Sequence, residues 1–401
     1  MKSYITYYNL QNGNFRALHS DTGIFETYNT LPLTIKYKYY MFKGYDASDA
    51  GLQLYSDDFK IWCAELKKND VINLNYLYYY SHTMAIENLF KLYSKGDYED
   101  IEPVLEIENQ YFELCNQGGL TYCEKYQGPC YGYDFNSAYP RVMSSNVFTI
   151  PVTDGEESYV DLHRQLTTNA RLKYGMYYCQ ITSTNPDSKK VFAFSKYHVY
   201  THYSIKFAFD NREQFDFQFA FYDKEDGNNC YIYQDRALRP GNKIFGKWFK
   251  NLSELRELFP KNKLLKHLLS SMWGHLSKAK SLIRTFEQIQ DEKLDVGDDT
   301  SAHYRIHKHI VNENSDYYIL YNNRDPFHYS VARFKPFLTS YARNRIAKVG
   351  LIDVANIVRI HTDAVVFKTP QLMGCIKHIY PEEKTTGVLK LVRINQKPIR
   401  L

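Results

Sequence analysis

Apolar and polar positions along this chain sort into short alternating runs and a few amphipathic stretches. GMYYCQIT and FDFQFAFY alternate with the period of two that a half-buried strand requires, so residues 150–235 read as β-rich. LTIKYKYYMF reads as a strand, and HTMAIENLFKLYSKG as a helix that stops at its glycine. GGLTYCEKYQGPCYGYDF, at 118–135, predicts strand, loop and strand. Residues 243–282 are mostly helical in pattern, interrupted at Pro260. Within them, Leu264, Leu265, Leu268, Leu269, Met272 and Leu276 fall on one helix side, and Lys263, Lys266, Ser270, Trp273 and Ser277 share another. Residues 285–330 are polar and expected to be loop-rich, although YRIHKHIV alternates like a strand and would put His307 and His309 on one face. A helix is expected over 331–350, after Pro336. NIVRI and AVVF then form two apolar strands around the turn HTD.

Composition narrows the class. The 401 residues are 44% hydrophobic and 24% charged, a globular balance. No run approaches the roughly 18 apolar residues of a membrane span, so no membrane partner is expected. MKSYITYYNLQ does not read as a secretory signal. Seven cysteines follow no regular framework, and Cys115, Cys123 and Cys130 match no common zinc spacing, so a reducing, cytoplasmic compartment is expected. The histidines around His307 have no carboxylate or cysteine beside them in sequence to complete a metal site. Tyrosine is frequent, at 38 residues, which suits stacking on bases and equally reflects an AT-rich coding sequence.

Net charge is only +5, so a nucleic-acid surface must come from local concentration. Residues 235–284 supply it, with twelve Lys or Arg against three Asp or Glu. The rest of the chain is net acidic. Asp134 closes a buried-strand pattern, and Asp363 sits at a turn between apolar strands. Each alone is also an ordinary turn or cap residue. Taken alone, the cationic helix face is an ordinary solvated face. Together, two carboxylates and a basic helix are the minimum for metal-assisted phosphoryl transfer.

The order of these segments resembles family B DNA polymerases, in particular the protein-primed branch of phages, linear plasmids and some large viruses. DFNSAYP is similar to that family's motif A, KHLLSSMWG to motif B, and HTDA to motif C. NQGGLTY is similar to the glycine pair before motif A, FLTSYARNRI to the helix before motif C, and TGVLKLV to the lysine segment after it. The match runs from about residue 116 to 392.

The resemblance implies an α+β right-hand architecture: a palm with an antiparallel sheet, and helical fingers. Residues 116–149 and 331–401 would be palm, and 241–280 fingers. Residues 150–240 and 281–330 would be insertions, the first suited to docking a priming protein, and 1–115 a region of unassigned role. It implies that Asp134 and Asp363, with the carbonyl of Phe135, hold two Mg2+ or Mn2+ ions. Tyr139 would exclude a ribose 2′-hydroxyl. Lys266, Ser270 and Trp273, with Lys250 and Arg256 as further candidates, would bind the incoming deoxynucleoside triphosphate. Gly118, Gly119, Lys247, Lys263, Gly274, Thr362 and Lys390 would contact the DNA template-primer.

The pattern also departs from the family. His361 and Ala364 flank Asp363 where an acid and a serine are usual; Ser270 and Trp273 replace Asn and Tyr. The 133 residues before Asp134 are too few for an editing exonuclease and the eleven after Lys390 too few for a thumb, so both are expected to be missing or reduced. The chain would then be a reduced polymerase, a fragment, or dependent on a partner chain. Two functions remain open at this point: a template-directed DNA polymerase without proofreading, or a catalytically retired scaffold subunit of a replication complex.

Overall fold

A computed structural model of the chain describes residues 3–41, 44–68, 90, 93–94, 100–168, 170–298, 301–311, 316–371 and 389–395, the last by their backbone. The helix expected over HTMAIENLFKLYSKG lies almost wholly outside the described residues. The chain divides into two compact units: residues 1–99 with 242–276, and residues 100–241 with 277–401.

In the first unit, β1 (Ile5–Asn9), β2 (Phe15–His19), β3 (Phe25–Tyr28) and β4 (Lys38–Tyr40) form a sheet in the order β3-β2-β1-β4. β1 is antiparallel to β2 and parallel to β4. The helix Asp49–Lys68 packs on it, and Phe59 meets Tyr39 at 4.5 Å and Tyr4 at 5.2 Å. The unit also holds the helices Gly241–Leu258 and Lys263–Leu276. They are separated at Pro260, as the pattern predicts. All six apolar residues assigned to the inner side of the second helix are buried. Ser277 departs from the expected face: the helix ends at Leu276, and Ser277 is itself buried.

The second unit is built on a five-stranded sheet in the order β20-β6-β19-β18-β5, antiparallel throughout. Its strands are β5 (Thr121–Cys123), β6 (Cys130–Phe135), β18 (Ile357–His361), β19 (Ala364–Phe367) and β20 (Leu389–Asn395). The helix Lys335–Gly350 covers one face, burying Phe337, Leu338, Ile346 and Val349. The β-rich expectation for 150–235 holds. β8 (Glu156–Ser158), β9 (Tyr174–Ser183), β10 (Val199–Thr201) and β12 (Cys230–Tyr233) form a sheet in the order β10-β9-β12-β8, and β11 (Phe217–Phe221) pairs with the end of β9. β7 (Thr149–Pro151) pairs with β13 (Leu238–Pro240). One apolar core joins both layers, with Tyr177, Cys179 and Phe192 meeting Tyr133, Phe135 and Ile346.

A buried ion pair locks this unit. Arg333 and Glu108 are fully buried 2.9 Å apart. The guanidinium also donates to the carbonyls of Glu102 and Pro103, and the Tyr233 hydroxyl donates to Glu108 at 2.5 Å. A charge pair removed from water is tolerable only with such full satisfaction.

Residues 281–322 correct the loop-rich expectation. β14 (Ser281–Thr285), β15 (Val296–Gly297), β16 (Tyr304–Ile310) and β17 (Tyr317–Asn322) form a four-stranded sheet. The pairing of β16 with β17 shifts register between Ile306 and Lys308. His307 stacks on Tyr321 and His309 on Tyr318, which are three positions apart and therefore on opposite faces. The bulge thus undoes the shared face that unbroken alternation predicts. Among the described residues no group of three or more His, Cys, Asp or Glu side chains is arranged to hold a metal.

Candidate active site

β6 places the first carboxylate. Tyr133 and Phe135 point into the core, so strand alternation puts Asp134 on the other face. The second carboxylate comes from the tight turn between β18 and β19. His361 pairs with Ala364, leaving Thr362 and Asp363 as the two turn residues. Thr362 adopts φ of 59°, the left-handed value such turns require.

Strand pairing brings the segments that carry the two aspartates together across a long separation in sequence. Ala364 pairs with Asp134, and the Phe135 amide donates to the Asp363 carbonyl at 3.0 Å. On the other flank of β6, Lys390 of β20 pairs with Asp134. Ala364, Asp134 and Lys390 therefore lie side by side across three strands, and Asp363 precedes Ala364 in the turn. The Thr362 hydroxyl lies 2.9 Å from Asp363 Oδ1 and 2.8 Å from the His361 carbonyl.

The glycine pair braces the turn. The Thr362 amide donates to the Leu120 carbonyl at 2.9 Å. A Cβ on Gly119 would lie 2.7 Å from Thr362 Cγ2, so the approach needs glycine. Behind the loop, Arg343 donates through Nη1 to the carbonyls of Gln117 and Gly118 at 2.9 and 2.7 Å, and through Nη2 to Gln117 Oε1 at 3.0 Å. Burial lowers the guanidinium pKa to about 10, so it stays charged at neutral pH. Sequence reading missed Arg343 and Gln117. The available signal was a cation among apolar positions of the helix expected before the HTD turn.

Tyr139 follows β6 on the short helix Ala138–Met143. Burial first, then the negative charge of Asp363, raise its pKa to about 12. The phenol therefore stays protonated within electrostatic reach of Asp363.

The remaining candidates belong to the first unit. Lys243, Lys247 and Lys250 are exposed at helical spacing on Gly241–Leu258, and Lys250 lies 4.0 Å from Glu254. Arg256 is half-buried, and burial lowers its pKa. On Lys263–Leu276, Lys266, Ser270 and Gly274 are exposed and Trp273 is half-buried. Lys263 is engaged within the unit: its ammonium donates to the Gly44 carbonyl at 3.1 Å, and its amide to Asp58 at 3.1 Å. The basic stretch is thus divided. Lys280 and Arg284 belong to the second unit and are ion-paired with Asp325 and Glu292.

The donor set of Asp134, Asp363 and the Phe135 carbonyl is all oxygen. That suits a hard divalent cation such as Mg2+ or Mn2+, with water or phosphate oxygens completing the shell, and does not suit zinc.

An antiparallel sheet with two aspartates at neighbouring positions, backed by helices, belongs here to the DNA polymerase fold. The chain is similar to Phi29 DNA polymerase complexed with single-stranded DNA, with a TM-score of 0.59 and 10% identity over 98% of this chain and 84% of that one. The same polymerase with primer-template DNA gives 0.57 and 11%, over 97% and 84%. Its ternary complex with primer-template and incoming nucleotide gives 0.50 and 13%, over 86% and 56%. At such identities the likeness is one of fold. No protein-family model matches the sequence, and no curated protein matches it. Among the described residues no helix is long and apolar enough to cross a membrane.

Proposed function

We propose that this chain is a template-directed DNA polymerase of the protein-primed family B kind, extending a 3′ end with deoxynucleotides. The observation that supports the reading is the pairing of β6 with β19, in which Asp134 lies opposite Ala364, the residue after Asp363. Phosphoryl transfer between nucleotides needs carboxylates clustered around the reacting phosphate, and little covalent chemistry from the protein. Asp134, Asp363 and the Phe135 carbonyl would hold two Mg2+ or Mn2+ ions. Such ions, when bound, stabilise charge on the attacking and leaving oxygens. Tyr139 limits the space at the sugar of the incoming nucleotide. Lys266, with Lys250 or Arg256, neutralises its triphosphate, and Ser270 and Trp273 line its base. Gly118, Gly119, Lys247, Lys263, Gly274, Thr362 and Lys390 hold the template-primer. A priming protein or a further chain is a fitting partner for the 150–240 segment, and a reducing cytoplasm a fitting compartment.

The test is primer extension with Mg2+ or Mn2+, on templates with and without a primer. Template-dependent products are expected from the native chain. Asp134→Asn and Asp363→Asn should each abolish incorporation and leave DNA binding largely intact. A native chain that binds DNA and incorporates nothing under either metal would overturn the enzymatic reading and favour a retired scaffold subunit.

A further inference from the structure

A second cleft opens in the 100–241/277–401 unit, between the helices His202–Asp210 and Lys335–Gly350, with a volume of about 750 Å3. That is within the usual range of sites for small ligands, about 300–1,000 Å3. Four cations line it: Arg171, Lys206, Arg345 and Lys348. Among the described residues that line it Asp210 is the one acid, and lies 2.5 Å from Lys206. The cleft therefore carries a clear positive excess and favours an anion.

Its wall is aromatic. Tyr203 meets His202 at 3.9 Å and Tyr341 at 5.1 Å between ring centroids, and Tyr174 meets His202 at 4.4 Å. Burial lowers the His202 pKa to about 3, so the imidazole is neutral at physiological pH and presents a flat, uncharged ring. Flat aromatic surface beside several cations is the arrangement that binds a base by stacking and its phosphate by charge.

The cleft is separate from the aspartates. Arg345 lies over the Phe135 ring at 4.8 Å, and Phe135 points into the core, whereas Asp134 lies on the opposite face of β6. We propose that this cleft is a second nucleotide site, taking one nucleoside phosphate unit, its base against Tyr203 and Tyr341 and its phosphates on Arg171, Arg345 and Lys348. The unit is either a free nucleotide or one residue of a single strand.

The experiment uses the full chain carrying Asp134→Asn and Asp363→Asn, in EDTA, so that metal-dependent binding is silent. Equilibrium dialysis with labelled dATP should show one saturable site per chain. Arg171→Ala with Lys348→Ala, both exposed positions, should weaken it at least tenfold without altering the melting temperature, and Lys348→Glu alone should weaken it as well. Adenosine, which lacks phosphate, should bind at least tenfold more weakly than dATP. In a parallel arm, an eight-residue oligothymidylate binding more tightly than dTTP would identify a strand as the source, and the reverse a free nucleotide. No saturable dATP binding, or binding indifferent to the cleft substitutions, would overturn the proposal. So would displacement of dATP by polyglutamate at equal charge concentration, which would reduce the cleft to a general anion surface.

Discussion

Gly119 and Thr362 lie so close that a single added carbon on the glycine would sit 2.7 Å from the threonine methyl. Thr362 is the turn neighbour of Asp363, so the glycine fixes how near the loop and the turn can come. Gly119→Ala should therefore push the turn away by more than half an ångström. Misplacement of reacting groups by about 1 Å costs on the order of 100-fold in rate. A drop in incorporation of roughly tenfold is expected, with folding stability changed by no more than about 2 kcal/mol. Thr362→Ser removes the clashing methyl and keeps the hydroxyl beside Asp363. The double variant should recover part of the lost rate in a steady-state extension assay, and no recovery would separate the glycine from the turn.

Arg343 acts through the same loop from behind. Arg343→Lys keeps a charge but loses the planar fork that reaches two carbonyls and the Gln117 side chain. Leaving buried acceptors unsatisfied costs about 1–3 kcal/mol each. The variant should melt earlier by differential scanning fluorimetry. Its kcat should fall more than its KM for nucleotide changes, because the loop braces the turn bearing Asp363. An equal change in both would place the residue in nucleotide binding instead.

Tyr139→Ala should relax the choice of sugar. If the ring limits the space at the nucleotide's 2′ position, the alanine variant accepts ribonucleotides, while Tyr139→Phe, which keeps the ring, does not. Single-nucleotide incorporation with dNTP and rNTP in separate reactions measures the ratio. An unchanged ratio in the alanine variant would remove Tyr139 from that role.

His202 makes a pH prediction whose sign follows from its depressed pKa. Burial, with a smaller contribution from Arg171, moves it from 6.5 to about 3. The unfolded chain then binds a proton below pH 6.5 that the folded one refuses. The stability from a neutral His202 is fully present above pH 6.5 and is lost as pH falls towards 3, by about 1.4 kcal/mol per pH unit. Urea melts at pH 7.5 and 5.5 should differ by about 1 kcal/mol more in the native chain than in His202→Phe. Parallel pH dependence in the two would show that the imidazole is protonated without penalty.

Much of the site was legible because its signals are local. The runs NIVRI and AVVF bracket HTD, and the structure forms β18, turn and β19 there. Six apolar positions on 263–276 predicted the buried side of that helix residue for residue. The sheet at 281–322 was hidden because its strands are half-exposed: YRIHKHIV alternates, but on β16 and β17 only Leu320 is buried, and the Tyr and Ile positions are interspersed with His, Lys, Arg and Asn in a polar stretch that reads as loop. The bulge at His307 is an interruption of period, and no periodic template contains it. Arg343 was hidden for a different reason. A buried cation is defined by the carbonyls that receive it, and Gln117 and Gly118 lie more than two hundred residues away.

The division of the chain into a segment before residue 100 and another after residue 241 has a consequence on the ribosome. The helix Asp49–Lys68 packs against the helix Lys263–Leu276 within one unit, yet the 142 residues 100–241 are made between the two parts. At about 5–20 residues per second, that delay is roughly 7–28 s. Through it residues 1–99 wait with part of their apolar surface uncovered, while the first part of the other unit is being synthesised. Residues 1–99 thus reach their packed state only after residues 242–276 have followed them, well after they are themselves made.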